Sequence, residues 1–506
     1  MRAYPTVFLL GCIALPAAAA TCESLVSTSL PHTTITVAET VAAGAFTPPG
    51  GKPLASVPSF CRVAGVLKPS SDSDIQFEVW MPSAGWNGRY LGAGNGGYAG
   101  SIGYATLGDN IAQGYATSAS DTGHRGEGQS AVWALGHPEK IVDFGHRAVH
   151  ETAVTAKALI KAFYGNDPRK SYFISCSNGG RQALMEAQRY PQDYDGIVAG
   201  APANYWTHLM SAFVWDAQAL MAEPGAYIPA AKLPAIEAAA MAACDTRDGV
   251  KDGVIENPAA CRVEPKKLLC QGAETDQCLT APQVATLEKL YRGPGVFPGY
   301  PAGGEAHAAG WKPWVVGTGP KQSLTYAFGT QFFINMVYSN PSWDFGTYQV
   351  KRDTKLADER MAPILNATNP DLKPFRDRGG KLILYHGWSD AAIPASNTID
   401  YYRSVTAKLG QPATESFVRL YMVPGMQHCS GGDAPANFGQ GGGARTDAQH
   451  HVGKAIEEWV ENGSAPASII ASGHGRTRPL CPYPQVAQYN GSGSTDDAAN
   501  FHCAAR

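Results

Sequence analysis

The chain has 506 residues, of which 44 % are hydrophobic and 10 % aromatic, so it is not an intrinsically disordered chain. Forty basic against 43 acidic side chains give a formal net charge of −3, which argues against nucleic acid as a partner. Because single hydrophobic cores stop growing at roughly 250–300 residues, the length predicts a large domain with a substantial second one.

The N-terminus has the layout of an export signal. Arg2 precedes an apolar run at residues 7–15, and Ala17–Ala20 offer an A-x-A cleavage site. The run is shorter than the about 20 residues that span a bilayer. We therefore expect cleavage after Ala20 and a secreted or periplasmic protein without a membrane partner. A lipoprotein cleavage box at residues 9–12 is the alternative.

The cysteines indicate the same compartment. Removal of Cys12 with the signal leaves an even number of thiols in the mature chain. An even number in an oxidising compartment indicates disulfides, and the absence of any C-x-x-C spacing argues against a zinc site.

Short apolar runs bounded by Gly, Pro or Asp predict strands, and longer amphipathic stretches predict helices. In chain order, the predicted strands cover residues 75–79, 89–91, 172–174, 196–199, 381–385 and 417–421, and the predicted helices cover 148–164 and 448–460. Strands that alternate with helices are typical of a doubly wound α/β sheet.

The middle of the chain differs from both ends. It is rich in Pro, Gly and Trp and shows no second set of alternating strands and helices. We interpret it as an insertion at the carboxyl edge of the sheet, where ligand sites of α/β proteins lie. The predicted organisation is a signal at 1–20, a core in two parts at 21–202 and 380–506, and a lid at 203–379. The tail from Pro479 is predicted to be a loop.

The most informative segment is residues 171–182, where a strand leads into a tight turn and then a helix, with Ser177 at the apex. This is the layout of the nucleophile elbow G-x-S-x-G, although Ser175 replaces the first glycine. Ser177 is then the nucleophile, and the Asn178 N–H is a candidate oxyanion donor. An ordinary Ser-Gly turn is the alternative.

A serine nucleophile needs a base, and the base needs an acid that orients it. Asp390 follows the predicted strand 381–385, and His428 follows the strand 417–421. The order Ser177, Asp390, His428 is that of an α/β-hydrolase triad. His386 and Asp433 are rival candidates, but His386 precedes the acid and breaks this order.

Two cysteines flank the candidate nucleophile and base. Cys176 directly precedes Ser177, and Cys429 directly follows His428. A disulfide holds its two Cα atoms about 5.5 Å apart. A Cys176–Cys429 bridge therefore brings Ser177 and His428 into neighbouring positions, which favours the triad over two unrelated cysteines.

The residues Cys176-Ser177, Asp390 and His428-Cys429 resemble the CS-D-HC motif of the tannase and feruloyl esterase family, which also contains an esterase of mono(2-hydroxyethyl) terephthalate. Further resembling stretches are residues 86–89, 385–390, 423–429 and 478–484, so the resemblance covers nearly the whole mature chain. It implies an α/β-hydrolase fold with a large inserted lid domain and secreted carboxylic-ester hydrolysis. It also implies five disulfides, namely Cys22–Cys61, Cys176–Cys429, Cys244–Cys261, Cys270–Cys278 and Cys481–Cys503.

Residues 245–256 contain several carboxylates with glycines between them, a pattern of hard oxygen ligands that suits Ca²⁺. The spacing is not that of an EF-hand, and a solvated acidic loop is the alternative. The family resemblance implies a structural Ca²⁺ in the lid, and it assigns as ligands the carboxylates of Asp245, Asp248 and Asp252 and the backbone carbonyls of Val250 and Val254.

The glycine-rich loop at residues 92–97 lacks the Lys-Ser/Thr of a phosphate-binding loop. Because it follows a strand, it is expected to supply the second oxyanion donor. The N–H of Asn95, or that of Gly94, is the candidate.

Together these residues predict a secreted serine esterase that acts on small aromatic esters, attached in nature to a plant polysaccharide or polyphenol. The predicted lid offers seven aromatic side chains for a slot of phenyl size: Trp206, Trp311, Trp314, Phe328, Phe332, Phe333 and Trp343. Feruloyl esters are the first choice, with gallate esters and terephthalate monoesters as alternatives. Terephthalate monoesters fit less well. The resemblance implies an Arg in the lid that holds their free carboxylate, but residues 318–330 contain no Arg, and Lys321 is the nearest cation. The rival from another class is a non-catalytic, calcium-stabilised binding protein on a hydrolase scaffold.

Overall fold

The computed structural model describes residues 20–442 and 447–505, so the predicted signal lies outside the described residues except for Ala20. The strands are β1 (Thr33–Val41), β2 (Gly44–Phe46), β3 (Leu54–Val57), β4 (Phe60–Leu67), β5 (Ile75–Pro82), β6 (Arg89–Gly92), β7 (Ala116–Ser120), β8 (Lys170–Cys176), β9 (Gly196–Gly200), β10 (Lys381–Gly387), β11 (Val418–Val423), β12 (Ile469–Gly473), β13 (Arg476–Leu480), β14 (Val486–Tyr489) and β15 (Phe501–Ala504). The α-helices are α1 (Tyr104–Ala112), α2 (Pro138–Val142), α3 (Ala148–Tyr164), α4 (Asn178–Arg189), α5 (Trp206–Leu220), α6 (Leu233–Cys244), α7 (Ala281–Arg292), α8 (Leu324–Phe332), α9 (Val350–Leu365), α10 (Lys373–Asp377), α11 (Ser396–Leu409), α12 (Gln411–Glu415) and α13 (Val452–Asn462).

A mixed nine-stranded sheet in the order β1-β4-β5-β7-β6-β8-β9-β10-β11 forms the centre of the fold. The strands from β7 to β11 in this order are parallel to one another, whereas β1, β4 and β5 pair antiparallel. Strand β9, which lies between β8 and β10 in the parallel part of the sheet, is buried along its whole length. Buried strands with helices between them confirm the predicted α/β fold.

The carboxyl ends of the parallel strands lie along one edge of the sheet, which is where α/β folds place their ligand sites. The loops that follow β6, β8, β10 and β11 begin there. These four loops carry the glycine-rich segment and the three candidate triad residues.

The insertion lies between β9 and β10, where every residue is described and no strand forms. Its helix α5 packs against both α8 and α9. Their buried aromatic and aliphatic side chains form one core cluster that also includes Tyr98 and Phe144. The predicted bounds 203–379 fit this interval, and the role of the insertion as a lid stays a prediction.

The prediction that the tail from Pro479 is a loop is wrong. Strand β13 extends into it, and β14 and β15 form an antiparallel pair in which Gln488 faces His502. These strands are only four or five residues long, too short for a recognisable alternation. Phe501 packs against Tyr489 and holds the small sheet together.

The structure contains all five expected disulfides, with Cα–Cα distances between 4.9 and 5.9 Å. Their pairings are Cys22–Cys61, Cys176–Cys429, Cys244–Cys261, Cys270–Cys278 and Cys481–Cys503. In the part of the chain that the structure describes, no helix has the length and apolar composition needed to cross a bilayer.

Candidate active site

Ser177 lies at the sharp turn between β8 and α4, with φ +67° and ψ −127°. Few non-glycine residues adopt such a conformation, and it costs about 1–3 kcal/mol. The turn can be this tight because two glycines follow. A Cβ on Gly179 would lie 1.9 Å from Oγ of Ser175, and one on Gly180 would lie 2.3 Å from the carbonyl oxygen of Gly200. The segment therefore presents Ser177 at the carboxyl edge of the sheet.

The three candidate residues form one continuous line of hydrogen bonds. Nε2 of His428 is 2.8 Å from Oγ of Ser177, and Nδ1 of His428 is 2.8 Å from Oδ2 of Asp390. Trp314 meets the imidazole edge to face at a centroid distance of 5.1 Å. Since Nδ1 faces a carboxylate, it carries the proton, and Nε2 is left to accept the proton of Ser177.

Asp390 is fully buried and remains ionised. Burial alone would raise its pKa, but the charge that His428 carries when it is protonated, and the hydrogen bonds from His386 and His428, outweigh burial and hold the pKa of Asp390 well below its usual range. Its second oxygen, Oδ1, accepts hydrogen bonds from the backbone N–H groups of Ala392 and Ile393. His386, the rival base, contacts Asp390 and has no contact with Ser177 among the hydrogen bonds of the described residues.

The Cys176–Cys429 disulfide joins the residues next to Ser177 and His428, with 5.9 Å between its Cα atoms. Cys429 has φ +66°, so both of the bridged loops turn sharply at the point of contact. The bridge therefore fixes β8 and the loop after β11 at the place where the nucleophile meets the base.

The Asn178 N–H belongs to the first turn of α4, where backbone donors have no partner within the helix. It is free to point at a developing oxyanion. The expected second donor, the Asn95 N–H, does not fit: it donates to Oε1 of Gln182 at 2.9 Å. The side-chain amide of Asn95 is also bonded, to the carbonyls of Ser101 and Ser120, so this residue braces the glycine-rich loop.

Gly97, two residues further along this loop, lines the same cleft as Ser177. The N–H groups of Gly96 and Gly97 donate no hydrogen bond within the described residues. Gly94, the alternative candidate, faces Oγ of Ser175 on a different cleft. The contact with Gln182 therefore argues against the Asn95 N–H as a donor, and the oxyanion role of this loop stays a prediction.

A cleft of about 350 Å³, partly open to solvent, lies directly over Ser177 and His428. Its remaining lining is almost entirely apolar and comprises Gly97, Asn178, Ala203, Trp206, Leu209, Met210, Phe213, Trp314, Phe328, Ala392 and Ile393. Trp206, Trp314 and Phe328 were among the seven predicted aromatics. The other four do not line the cleft, and Phe332 and Phe333 are fully buried in the core.

Arg181 is a buried cation that no sequence pattern singled out. Its guanidinium lies between the rings of Phe144 and Trp206, at 4.7 and 5.1 Å from their centroids. It donates to the side-chain oxygen of Asn178 and to the carbonyls of residues 144, 145 and 365. Burial lowers the pKa of Arg181 to about 9, and these oxygens compensate its charge. Arg181 therefore ties the helix of the nucleophile to α9.

The predicted calcium ligands lie together in a turn after α6. Asp245 accepts backbone hydrogen bonds from residues 252 and 253, Asp248 from Val250, and Asp252 from Val254. The donor types fit Ca²⁺, since three carboxylates and two carbonyls are all hard oxygens. Arg478 contacts Oδ2 of Asp252 at 2.5 Å and shares that carboxylate.

A different cluster of ligand types is the tightest in the described ranges. Ligand atoms of His150, Glu186 and Asp193 all lie within 4.8 Å of one another, closer than those of the turn after α6. Nδ1 of His150 is already 2.6 Å from Oδ2 of Asp193, and Lys157 donates to the Asp193 carbonyl. Burial, and in smaller part the charge of Asp193, raises the pKa of Glu186 well above its usual range.

The sheet, the sharp turn at Ser177 and the Ser177–His428–Asp390 line define an ester hydrolase of the α/β-hydrolase type. The family model described as "Tannase and feruloyl esterase" matches residues 61–504. The chain belongs to this family.

Relatives of known sequence or structure agree with this assignment. An uncharacterised esterase of Xanthomonas campestris pv. campestris is 44 % identical, over 96 % of this chain and 91 % of its own. Mono(2-hydroxyethyl) terephthalate hydrolase of Piscinibacter sakaiensis is 33 % identical, over 92 % of this chain and 88 % of its own. The crystal structure of feruloyl esterase B from Aspergillus oryzae superimposes with a TM-score of 0.88 and 31 % identity, over 96 % of this chain and 99 % of its own.

Proposed function

We propose that the protein hydrolyses esters whose acyl group is aromatic and uncharged, of the hydroxycinnamoyl (feruloyl) type. In this reaction Ser177 is the nucleophile, His428 is the base and Asp390 is the acid that orients the base. One observation supports this most directly. The Ser177–His428–Asp390 line opens into a cleft whose walls are aromatic and aliphatic side chains.

In the proposed reaction, Nε2 of His428 takes the proton of Ser177 as Oγ attacks the ester carbonyl carbon. The tetrahedral oxyanion accepts hydrogen bonds from the Asn178 N–H and from an N–H of residues 96–97. His428 then protonates the leaving alcohol, which leaves an acyl group on Ser177. Water, deprotonated by the same imidazole, attacks this acyl-enzyme and releases the acid. Asp390 stabilises the imidazolium in both steps.

The lining of the cleft supports an uncharged acyl group. Apart from His428 it contains no ionisable side chain, so a free carboxylate there would be buried without a partner. Lys321, the cation nearest to the Arg expected at residues 318–330, has its Nζ 5.4 Å from the ring centroid of Phe345. This disfavours terephthalate monoesters, although one relative carries that name.

Gallate esters are disfavoured for a related reason. A gallate ring carries three hydroxyl groups that need hydrogen-bond partners when buried. Among the described residues that line the cleft, Asn178 supplies the only side-chain amide, and its Oδ1 already accepts from Arg181. A feruloyl ring, with one hydroxyl and one methoxy group, leaves fewer polar atoms unpaired.

The rival function is a binding protein that uses the scaffold without catalysis. An assembled triad argues against it, because binding requires neither a serine in a strained turn nor a hydrogen-bonded base. Labelling with a fluorophosphonate tests this directly, since only an activated serine reacts. A labelled Ser177 is the expected result, and an unlabelled protein without turnover of any ester would establish the rival.

A panel of methyl ferulate, methyl gallate and mono(2-hydroxyethyl) terephthalate tests the substrate class. We expect the highest kcat/KM for methyl ferulate, by at least about tenfold, since each 1.4 kcal/mol of differential binding is worth a factor of ten. A higher kcat/KM for either of the other two esters would overturn the assignment of the acyl group.

We further propose that the turn at residues 245–254 binds one structural Ca²⁺, with the ligands Asp245, Asp248 and Asp252 and the carbonyls of Val250 and Val254. The oxygen-rich donor set supports this proposal. The ion would hold α6 and the turn after it together and takes no part in the reaction.

We also propose that the mature protein acts outside the cytoplasm, secreted or periplasmic, on aromatic esters borne by plant polysaccharides or polyphenols. Five disulfides support the compartment, because such bonds persist in oxidising environments.

A further inference from the structure

A second histidine contacts the acid of the triad. His386, near the end of β10, is fully buried. Its Nε2 lies 3.1 Å from Oδ2 of Asp390 and 2.9 Å from the carbonyl oxygen of Ile393. Its Nδ1 lies 2.7 Å from Oγ1 of Thr398, at the start of α11.

These contacts determine where the imidazole of His386 carries its proton. A backbone carbonyl only accepts hydrogen bonds, so Nε2 must carry hydrogen. Nδ1 shares a hydrogen bond with the hydroxyl of Thr398. His386 is therefore a fixed donor whose N–H is shared between Asp390 and Ile393.

Asp390 is consequently held by four donors. Oδ1 accepts from the backbone N–H groups of residues 392 and 393, while Oδ2 accepts from the two imidazoles of His386 and His428. Without His386, Oδ2 would keep only His428, the group that moves between protonation states during the reaction. A fixed donor on the same oxygen limits how far that oxygen can follow or turn from His428.

We propose that His386 is a positioning residue: it holds Oδ2 of Asp390 in line with Nδ1 of His428 and, through the Ile393 carbonyl, holds the wall of the acyl cleft at a constant distance from the triad. Ile393 is part of that wall. The inference rests on the proposed function, since it assigns His386 a role in the reaction of Ser177.

Removing the donor has a directional electrostatic consequence. With one hydrogen bond fewer, more of the negative charge on Oδ2 is available to His428, which favours the imidazolium. The acid limb of the kcat/KM profile then moves to higher pH. Tyr300 and Tyr385 also lie close to Asp390. Burial raises the pKa of both hydroxyls, helped by Asp216 and less by Asp390 at Tyr300, and by Asp390 at Tyr385, so they stay neutral in the assay range.

The test compares His386→Leu, which removes the donor, with His386→Gln, whose amide nitrogen replaces Nε2. We expect His386→Leu to lower kcat by about tenfold to a hundredfold, because misplacing a catalytic group by about 1 Å costs up to a hundredfold. KM should change less, and the acid limb should shift upward. His386→Gln should recover most of kcat and return the acid limb toward the wild-type position.

Thr398→Val keeps His386 and removes only the hydroxyl that contacts Nδ1, so it remains informative if His386→Leu does not fold. It should lower kcat severalfold with an intact circular dichroism spectrum. His150→Gln is the matched control, because His150 also pairs with a carboxylate, at 2.6 Å from Asp193, away from the triad. It should lower Tm and leave the acid limb in place.

Three results would overturn the inference: a folded His386→Leu with wild-type kcat and acid limb, a His386→Gln no better than His386→Leu, or, where His386→Leu does not fold, a Thr398→Val with wild-type kcat. Each leaves the proposed function intact if Ser177 is still labelled by the fluorophosphonate. If the fluorophosphonate does not label Ser177 in the wild-type protein, that result would instead contradict the proposed function itself.

Discussion

Ser177 combines an unfavourable backbone conformation with a hydrogen bond to a base, and only its Oγ enters the proposed reaction. We expect Ser177→Ala to abolish ester turnover, by at least about 10³-fold, while circular dichroism and Tm barely change. Steady-state hydrolysis of a p-nitrophenyl ester measures the loss. Ser404→Ala, on the surface of α11, serves as the control. Activity of Ser177→Ala within tenfold of wild type would contradict the assignment of the nucleophile.

Asp216 on α5 takes no part in the proposed reaction, but its ionisation makes the stability of the fold depend on pH. Burial raises the pKa of Asp216 to about 8, against about 3.9 in an unfolded chain. The folded state therefore binds the proton more tightly, and stability falls as pH rises from about 4 to 8. We expect Asp216→Asn, which stays neutral, to raise Tm at pH 8 and to have little effect at pH 4, measured by calorimetry.

Asp358 provides the opposite sign as a control. Although burial opposes it, hydrogen bonds from His208 and Thr207 lower the pKa of Asp358. Asp358→Asn should therefore lower Tm at neutral pH and lose this effect as the pH falls through the acid range. If both Asn variants change Tm in the same direction at pH 8, burial does not decide the state of Asp216.

At the residue scale the candidate site was largely predictable, because the nucleophile and the base each lie next to a cysteine in the sequence. Cys176 and Cys429 adjoin Ser177 and His428 in the sequence, and the structure joins them. His386 was considered only as a rival base, since its contact with Asp390 depends on how the loop after β10 turns. Arg181 and Gln182 act through contacts with distant carbonyls and amides, which no local pattern encodes.

At the scale of elements, the Cys176–Cys429 bridge connects the end of β8, which carries the nucleophile, to the loop after β11, which carries the base. A loop of this length gives about 5 kcal/mol in chain-entropy models, though the four other disulfides already constrain the unfolded chain. We expect Cys176→Ala/Cys429→Ala to stay folded at 25 °C and to lose at least about a hundredfold in kcat, because both loops are released at the point of reaction.

The double variant Cys481→Ala/Cys503→Ala is the matched control. It opens a bridge between β14–β15 and the end of β13, away from the triad. It should lower Tm with kcat unchanged. A folded Cys176→Ala/Cys429→Ala with wild-type kcat would show that the bridge stabilises the fold without positioning the triad.

Predictability of the elements followed their length and pattern. The helix predicted at 148–164 coincides with α3, and all six predicted strands overlap observed ones. Strands β1 to β4, β7 and β12 to β15 were not predicted. Strand β1 is half exposed and lies at an edge, β7 is built from small residues without an apolar run, and the tail strands are short. The insertion was predicted from its composition alone. Its helices pack through aromatic contacts between residues far apart in the sequence, which composition does not reveal.

At the scale of the whole molecule, the proposed Ca²⁺ stabilises only the folded state, by about 2.7 kcal/mol at a hundredfold excess over Kd. Chelation, or Asp248→Ala, should therefore lower Tm while the chemistry of a small ester substrate is largely retained. Differential scanning calorimetry with and without chelator measures the change, and metal analysis of protein purified without chelator measures occupancy. Asp276→Ala, an exposed aspartate in the next loop, is the control. Protein without calcium would make the turn a bare acidic loop.

The insertion between β9 and β10 has a kinetic consequence. Strand β10 pairs with β9 only after the chain between them has been brought round, as the Gly196–Lys381 register shows, and Ser177 and His428 lie 251 residues apart. Contacts of such long sequence separation form slowly, because loop closure must precede any stabilising contact. We therefore expect β8 and α4 to place the nucleophile before the last strands place the base. During oxidative refolding from the reduced, unfolded chain, in which the Cys176–Cys429 bridge must also form, ellipticity should recover before esterase activity.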